Sequence, residues 1–331
     1  MCKEVCMKKI AVFFLSTIVL LISLSFAQEY HWYKGNTHCH TLNSDGDSYP
    51  RQVIRWYRDH EYNFLVISDH NFITEIECLD TDPNDDFLLI QGEEVTDSYK
   101  GVPVHLNALN AIKYIEPQHG NSITETLQNN VDAIQEAGAV PQINHPNWRW
   151  SFTDKEISQL KNVMLFELFN VHPDSNLFPA GGKPGMEDIW DGILSRNILM
   201  YGVASDDAHH FIGEFTPARS NPGSGWIMVK AKELSTEAII KSIEQGKFYA
   251  TLGVTLQDVR VTDDKYMVEV NPYKDAAYTI TFIGKDGQTL QESYGTKAEY
   301  IFKGHELYVR ARIFESSGRI ACTQPVFPNK D

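Results

Sequence analysis

The sequence predicts an α/β protein in two parts, a barrel of about seven strands with intervening helices over residues 28–253 and an antiparallel β-sandwich over residues 254–331. Two patterns carry this expectation. Between Tyr30 and about Gly253, short apolar runs alternate with amphipathic stretches, the signature of a parallel sheet covered by helices. Beyond Gly253 the periodicity falls to two, as in strands with one wet face. A chain of 331 residues exceeds the usual size of one domain, and its 42% hydrophobic share suffices for a core in each part.

In chain order, residues 64–68, 87–91, 104–109, 139–144, 163–167, 199–204 and 226–229 read as strands, and seven such strands favour a closed or nearly closed barrel. Helices fit between them. Pro50 can open one that buries Val53, Trp56 and Tyr57. Ile123, Leu127, Val131 and Ile134 recur at helical spacing, with Ser122 placed to cap and Gly138 to stop that helix. A third helix over residues 236–245 stops at Gly246. The sandwich strands follow at 258–261, 266–270, 278–282 and 307–312, joined by polar turns such as Lys285-Asp286-Gly287.

Ahead of the barrel, Lys8 and Lys9 precede an apolar run from Ile10 to Phe26 and the small-residue step Ser25-Phe26-Ala27. Residues 1–27 therefore read as a signal peptide, implying export to the periplasm or beyond. The run approaches the length of a membrane span. The small residues and the polar Gln28-Glu29 favour cleavage, so no stable membrane anchor is expected. Cys39, Cys78 and Cys322 remain, an odd and widely spaced set that reads as buried free thiols rather than a disulfide framework. A net charge of −15 repels polyanions, so nucleic acid is not an expected partner. Nothing in the sequence fixes an oligomeric state.

His38 and His40 lie two apart, so on a strand both imidazoles share a face and reach one metal while Cys39 points away. Such a triplet also arises by chance. Asp69-His70 ends the run 64–68, Glu94 follows 87–91, His145 ends 139–144, and Asp206-Asp207-Ala208-His209 ends 199–204. All fall at the C-terminal ends of strands, where barrel enzymes gather their chemistry. His105, inside the run 104–109, reads equally as a core histidine bonded to a carbonyl. Asp45, in Ser44-Asp45-Gly46, is also ordinary turn chemistry. Arg149 offers a guanidinium fork suited to phosphate and could as well pack on Trp148 or Trp150. Glu167 is placed to orient a ligand imidazole. His119, His172, His210 and His305 read as structural or exposed. A set mixing imidazoles with carboxylates suits Zn, Mn or Fe rather than Mg or Ca. No G-x-S-x-G elbow is present, which argues against a serine hydrolase.

His38-x-His40-Thr41 with Ser44-Asp45-Gly46, Ser68-Asp69-His70-Asn71, Gly92-x-Glu94, His105, Asn144-His145-Pro146 and Asp207-x-His209 resemble, in order and spacing, the polymerase-and-histidinol-phosphatase (PHP) superfamily over residues 31 to about 253. The stretch ending Gly246-Lys247-Phe248-Tyr249-Ala250-Thr251-x-Gly253 is similar to exported members of the carbaryl-hydrolase branch. The resemblance implies a distorted seven-stranded β/α (TIM-like) barrel with two or three divalent metal ions at its C-terminal face. It gives His38, His40, Glu94 and Asp207 to one metal, with Asp206 the competing neighbour. Glu94 would bridge to a second metal held by His105 and His145. Asp45, His70 and His209 would hold a third, Asp45 standing where several relatives carry histidine. The implied activity is that of a metal-dependent phosphoesterase, hydrolysing a small phosphomonoester or phosphodiester through a metal-bound hydroxide. A carboxylester or carbamate hydrolase with the same centre is the nearest alternative, and a non-catalytic glycan- or partner-binding protein is the alternative of another class.

Overall fold

The computed structural model describes residues 29–77, 79 and 86–328. The signal peptide read over residues 1–27 and the thiol of Cys78 lie outside them. Cys39 and Cys322 are buried free thiols. Among the described residues no helix is long and apolar enough to cross a membrane.

The first part of the chain runs β1 (His31–Asn36), α1 (Pro50–Asp59), β2 (Phe64–Ile67), β3 (Leu88–Tyr99), β4 (Val102–Leu109), α2 (Ile123–Glu136), β5 (Val140–Ile143), α3 (Asp154–Ile157), β6 (Leu165–Asn170), α4 (Met186–Leu194), β7 (Tyr201–Ser205), β8 (Trp226–Ala231), α5 (Thr236–Glu244) and β9 (Phe248–Thr251). β10 (Leu256–Val261), β11 (Lys265–Val270), β12 (Tyr278–Ile283), β13 (Thr289–Tyr294), β14 (Lys297–Ile301), β15 (Arg310–Glu315) and β16 (Ile320–Thr323) complete it. Local chemistry explains the helix starts. Pro50 opens α1, whose Val53, Ile54 and Tyr57 are buried. Ser122 accepts the Glu125 amide at the head of α2, which buries Leu127, Val131 and Ile134.

The sheet departs from the expected all-parallel barrel in three ways. First, β3 runs on past Gln91 for twelve residues. Its first residues pair in parallel with β2, whereas Gly92 to Tyr99 pair antiparallel with β4. The reversal falls at Lys100 and Gly101, both at positive φ. Second, β4 is antiparallel to β5 as well, and β8 is antiparallel to both β1 and β9. Third, the hydrogen-bonded ladder is open: the strand order is β13-β12-β15-β16-β9-β8-β1-β2-β3-β4-β5-β6-β7, with no ladder between β7 and β8. The gap is spanned instead at the mouth, where Cys39 and Ala208 form a parallel bridge. There the His40 amide donates to Ala208 O at 2.9 Å and the Asp207 amide to His38 O at 3.0 Å.

The same sheet continues into the C-terminal part, because β16 pairs with β9 through Ala321↔Thr251, Cys322↔Ala250 and Thr323↔Tyr249. A separate antiparallel sheet, β10-β11-β14, faces it. Tyr266, Val268 and Tyr300 of one sheet pack with Ile280, Phe282 and Ile313 of the other in a common core. Buried Arg310 on β15 locks this part to α4, with Nε and Nη2 donating to Asp191 at 2.8 and 2.7 Å and Nη1 to Glu187 at 2.9 Å.

Candidate metal centre

Nine side chains converge at the mouth formed by the ends of β1, β2, β5 and β7, the middle of β3 and the start of β4. Their nitrogen and oxygen atoms fall into overlapping sets whose members lie within 4.8 Å of one another: His40 with Asp45, His70 and His209; His38 with His145 and Asp207; His38 with His40 and Glu94; and His70 with Glu94 and His105. The sets share members, so the cluster is continuous. In this grouping His40 joins Asp45, His70 and His209, and His145 joins His38 and Asp207.

Strand direction explains two of these placements. Glu94 does not follow the end of a strand but lies inside β3, at the point where that strand leaves its parallel partner. His105 sits near the start of β4, opposite Thr96. Since β4 runs antiparallel, its beginning lies at the same end as the C-terminal ends of its neighbours. Asp206 and Asp207 part company in the same turn. Asp206 Oδ1 and Oδ2 accept the amides of Gly223, Ser224 and Gly225 at 2.8–2.9 Å, the Asn36 side chain at 2.6 Å and the Tyr57 hydroxyl at 3.0 Å. Asp207 instead brings Oδ1 to 3.3 Å from His38 Nε2 and 3.2 Å from His40 Nε2. Both His145 (φ 24°) and Asp207 (φ 47°) occupy the left-handed region, an arrangement that costs about 1–3 kcal/mol each and persists where surrounding contacts enforce it.

The outer contacts fix which ring nitrogen faces inward. His38 Nδ1 meets Glu167 Oε1 at 2.7 Å. His40 Nδ1 meets the oxygen of Ser44, whose hydroxyl is itself donated to Asp69. His70 Nδ1 meets Thr96 Oγ1, whose hydroxyl is donated to Glu94 O. His209 Nδ1 meets Asp207 O at 2.8 Å. For His38, His40 and His209 the outer partner is an acceptor, so Nδ1 carries the hydrogen and Nε2 faces the centre, as in the outer sphere of metal-bound imidazoles, whereas His70 Nδ1 also lies 2.8 Å from Glu94 Oε2.

The consequence is strongest between His38 and His40, whose Nε2 atoms stand 3.1 Å apart. Two neutral rings in this tautomer would face each other lone pair to lone pair, so the gap calls for a proton or a metal ion. Beside them lies buried Glu94 Oε2, 3.4 Å from both nitrogens and 2.8 Å from His70 Nδ1. A buried carboxylate flanked by inward-facing imidazole nitrogens fits a cation, and the donor set fits Zn, Mn or Fe. The electrostatics agree. Burial opposes ionisation of Glu94 and Asp207, yet surrounding imidazoles, His70 and His38 for Glu94 and His38 and His40 for Asp207, hold both well below the usual carboxylate range. Burial likewise opposes a charge on His70, but Glu94 and Asp45 outweigh it and push its pKa up to about 9. The carboxylates thus call for positive charge in the pocket.

These groups open onto a cleft of about 120 Å³ lined by Asp45, His70, Glu94, His105, His145, Asp207 and His209, with Trp148 and His172. Sequence reasoning set His172 aside, because a histidine in the polar loop after β6 carries no strand-end signal. Glu167, read as an orienting residue, accepts from His38 Nδ1, the Ser205 hydroxyl, the His145 amide and Asn170. Asp69 is a further support, taking up the amide and hydroxyl of Thr41 and the hydroxyls of Ser44 and Thr74. Arg149 is not brought into the cleft. It is exposed in the short turn Trp148–Trp150, its guanidinium lying 4.7 Å over the Trp148 ring.

No protein-family model and no curated protein matches the chain. Among solved structures it is similar to a two-domain protein from Bacteroides vulgatus containing a predicted PHP-like metal-dependent phosphoesterase, at 15% identity and TM-score 0.50, over 86% of this chain and 90% of that one. Smaller shares match a candidate metal-dependent phosphoesterase from Bifidobacterium adolescentis (13% identity, TM-score 0.40, 66% of this chain and 96% of that one). An amidohydrolase from Chromobacterium violaceum matches at 15% identity and TM-score 0.39, over 56% of this chain and 93% of that one. The first likeness spans most of both chains and establishes a shared mixed α/β fold.

Proposed function

We propose that the protein is an exported metal-dependent hydrolase of the PHP type, cleaving a small phosphomonoester or phosphodiester. The observation that carries this reading is the pair of imidazole nitrogens 3.1 Å apart beside the buried Glu94 carboxylate, within one continuous set of nine metal-ligating side chains. His38, His40, Glu94 and Asp207, His105 and His145, and Asp45, His70 and His209 would hold two or three divalent ions. Such ions acidify bound water and neutralise charge on the leaving oxygen.

The chain's own residues prepare this chemistry. Glu167, Ser44 and the Asp207 carbonyl fix the imidazole tautomers of His38, His40 and His209, and Asp69 holds the loop that carries Asp45. The three carboxylates in the set fall short of the charge on even two dications, so a loaded centre is cationic and suits an anionic ester. A carboxylester or carbamate substrate is the second reading. It is favoured by the absence of lysine and arginine from the described residues lining the cleft and by the apolar wall of Trp148. For Arg149 to clamp an anion, its guanidinium would have to leave the Trp148 stack.

Protein reloaded with Mn²⁺ or Zn²⁺ is expected to hydrolyse p-nitrophenyl phosphate or bis(p-nitrophenyl) phosphate and to lose that activity on chelation. Cleavage of naphthyl acetate or a naphthyl carbamate alone would transfer the assignment to the ester reading, and metal-free protein after reloading would refute both. N-terminal sequencing of chain secreted by an export-competent host is expected to begin at Gln28. An intact Met1 on exported protein would contradict the signal reading.

A further inference from the structure

We infer that His172 is a substrate-contacting residue that donates a hydrogen bond from Nε2 to a phosphoryl or ester oxygen in the cleft. The inference rests on the hydrolase reading above and adds to it the one polar group whose role that reading leaves open.

Of the nine residues lining the cleft, seven belong to the chelating sets, leaving Trp148 and His172. His172 lies in the loop after β6 and is half-buried, with its ring 5.6 Å from that of His209 in an edge-on arrangement. Its tautomer follows from local geometry. The Asp174 amide donates to His172 Nδ1 at 3.2 Å, and an amide can only donate, so Nδ1 is the unprotonated nitrogen. The ring hydrogen therefore sits on Nε2. This is the reverse of His38, His40 and His209, whose Nδ1 atoms face outer acceptors and whose Nε2 atoms face the centre. His172 alone among these offers a donor, which a metal ion would repel and a substrate oxygen would accept.

The loop is built to hold that ring. Asn170 donates to Glu167 at 2.9 Å and to Asp207 at 3.0 Å, while its own oxygen accepts the His172 amide and the Ser175 hydroxyl, both at 3.0 Å. One asparagine thus ties His172 to the supports of the ligands. Among the described residues lining the cleft there is no lysine or arginine, so the neutral His172 Nε2–H, beside the Trp148 indole N–H, is the donor available to a substrate oxygen that the metals do not reach.

The test compares wild type, His172→Ala and His172→Gln, whose side-chain amide can restore a donor near Nε2. Three readouts are taken: metal content by elemental analysis, affinity for inorganic phosphate by calorimetry, and kcat and KM for p-nitrophenyl phosphate. The expected result is unchanged metal content in all three, with phosphate affinity and kcat/KM falling roughly ten- to a hundredfold in His172→Ala and partly recovering in His172→Gln, the scale for losing a hydrogen bond to a charged group. Equal phosphate affinity and kcat/KM in His172→Ala would overturn the inference while leaving the hydrolase reading in place. Loss of metal from His172→Ala would overturn it too, by making His172 a support of the centre. If loaded wild-type protein neither binds phosphate nor turns over any ester, the functional reading itself fails and this inference falls with it.

Discussion

At the scale of single residues, the centre depends as much on the groups behind the imidazoles as on the imidazoles themselves. Glu167 is fully buried and accepts four donors, among them His38 Nδ1 and the His145 amide. Replacing Glu167 with Gln puts a donor where two donors now converge, turning the His38 ring or its tautomer. We predict that Glu167→Gln lowers metal affinity about 10- to 100-fold. Chelator competition measures this, and an affinity equal to wild type in a protein with native circular dichroism would refute it. Loading should also stabilise the fold, because the folded chain assembles the ligand set and the unfolded chain does not. At a free metal concentration a hundredfold above Kd, mass action contributes about 2.7 kcal/mol. Thermal melting with and without a chelator would show the gap, and coincident melting curves would contradict a centre formed in the folded state.

At the scale of elements, close approach between β1 and β2 sets where the first two ligands stand. Gly35 pairs with Phe64, and a Cβ at Gly35 would lie 2.1 Å from the Phe64 ring. Gly35→Ala must displace that ring or the strand, at a cost of about 1–3 kcal/mol typical of overpacking. Urea unfolding is expected to show the loss with an unchanged slope, and wild-type stability would refute it. In the loop between β14 and β15, Glu306 accepts the Tyr300 hydroxyl at 2.6 Å and the amides of Lys303 and His305 at 2.8 and 3.1 Å. Burial opposes its charge, but these donors outweigh it and lower its pKa to about 2. A carboxyl depressed in the folded state binds protons more readily when unfolded. Its stabilisation is therefore present above the ordinary glutamate range and is lost as pH falls toward 2. Glu306→Gln should flatten the acid limb of the stability profile between about pH 4.5 and 2. An acid limb identical to wild type would contradict that assignment.

At the scale of the whole molecule, the two parts are bound by shared backbone and by charge. β16 adds to β9, so the barrel's last strand is completed by the C-terminal part. Arg310, with 1% of its side chain exposed, is paired with Asp191 and Glu187 of α4. Its removal would strand Asp191 with only the Tyr308 hydroxyl, while Glu187 keeps its pair with Arg312 at 2.9 Å. Breaking a buried pair from one side costs about 3–5 kcal/mol, and we predict that loss for Arg310→Ala in equilibrium unfolding. Replacing Arg310 and Asp191 together with apolar residues should recover part of it, and no recovery would point to lost packing on Trp190 instead, over which the guanidinium lies at 4.8 Å.

What the sequence determined was local and chemical. Pro50 and Ser122 start their helices wherever those helices pack, the shift of periodicity after Gly253 is written in the residues, and strand-end position singled out most of the side chains that meet at the mouth, His105 and Asp45 entering the set through the family resemblance. Tertiary structure decided the rest, because it turns on partners distant in the chain. Residues 92–99 carry acids that disfavour strand on their own, and only pairing with β4 keeps them extended. Asp206 and Asp207 are chemically alike, and the choice between them was made by the amides of Gly223, Ser224 and Gly225 seventeen to nineteen residues on, which claim one carboxylate and leave the other for the imidazoles. The tautomer of His172, and with it the difference between a ligand and a donor, is set by one backbone amide whose position follows from the folded loop.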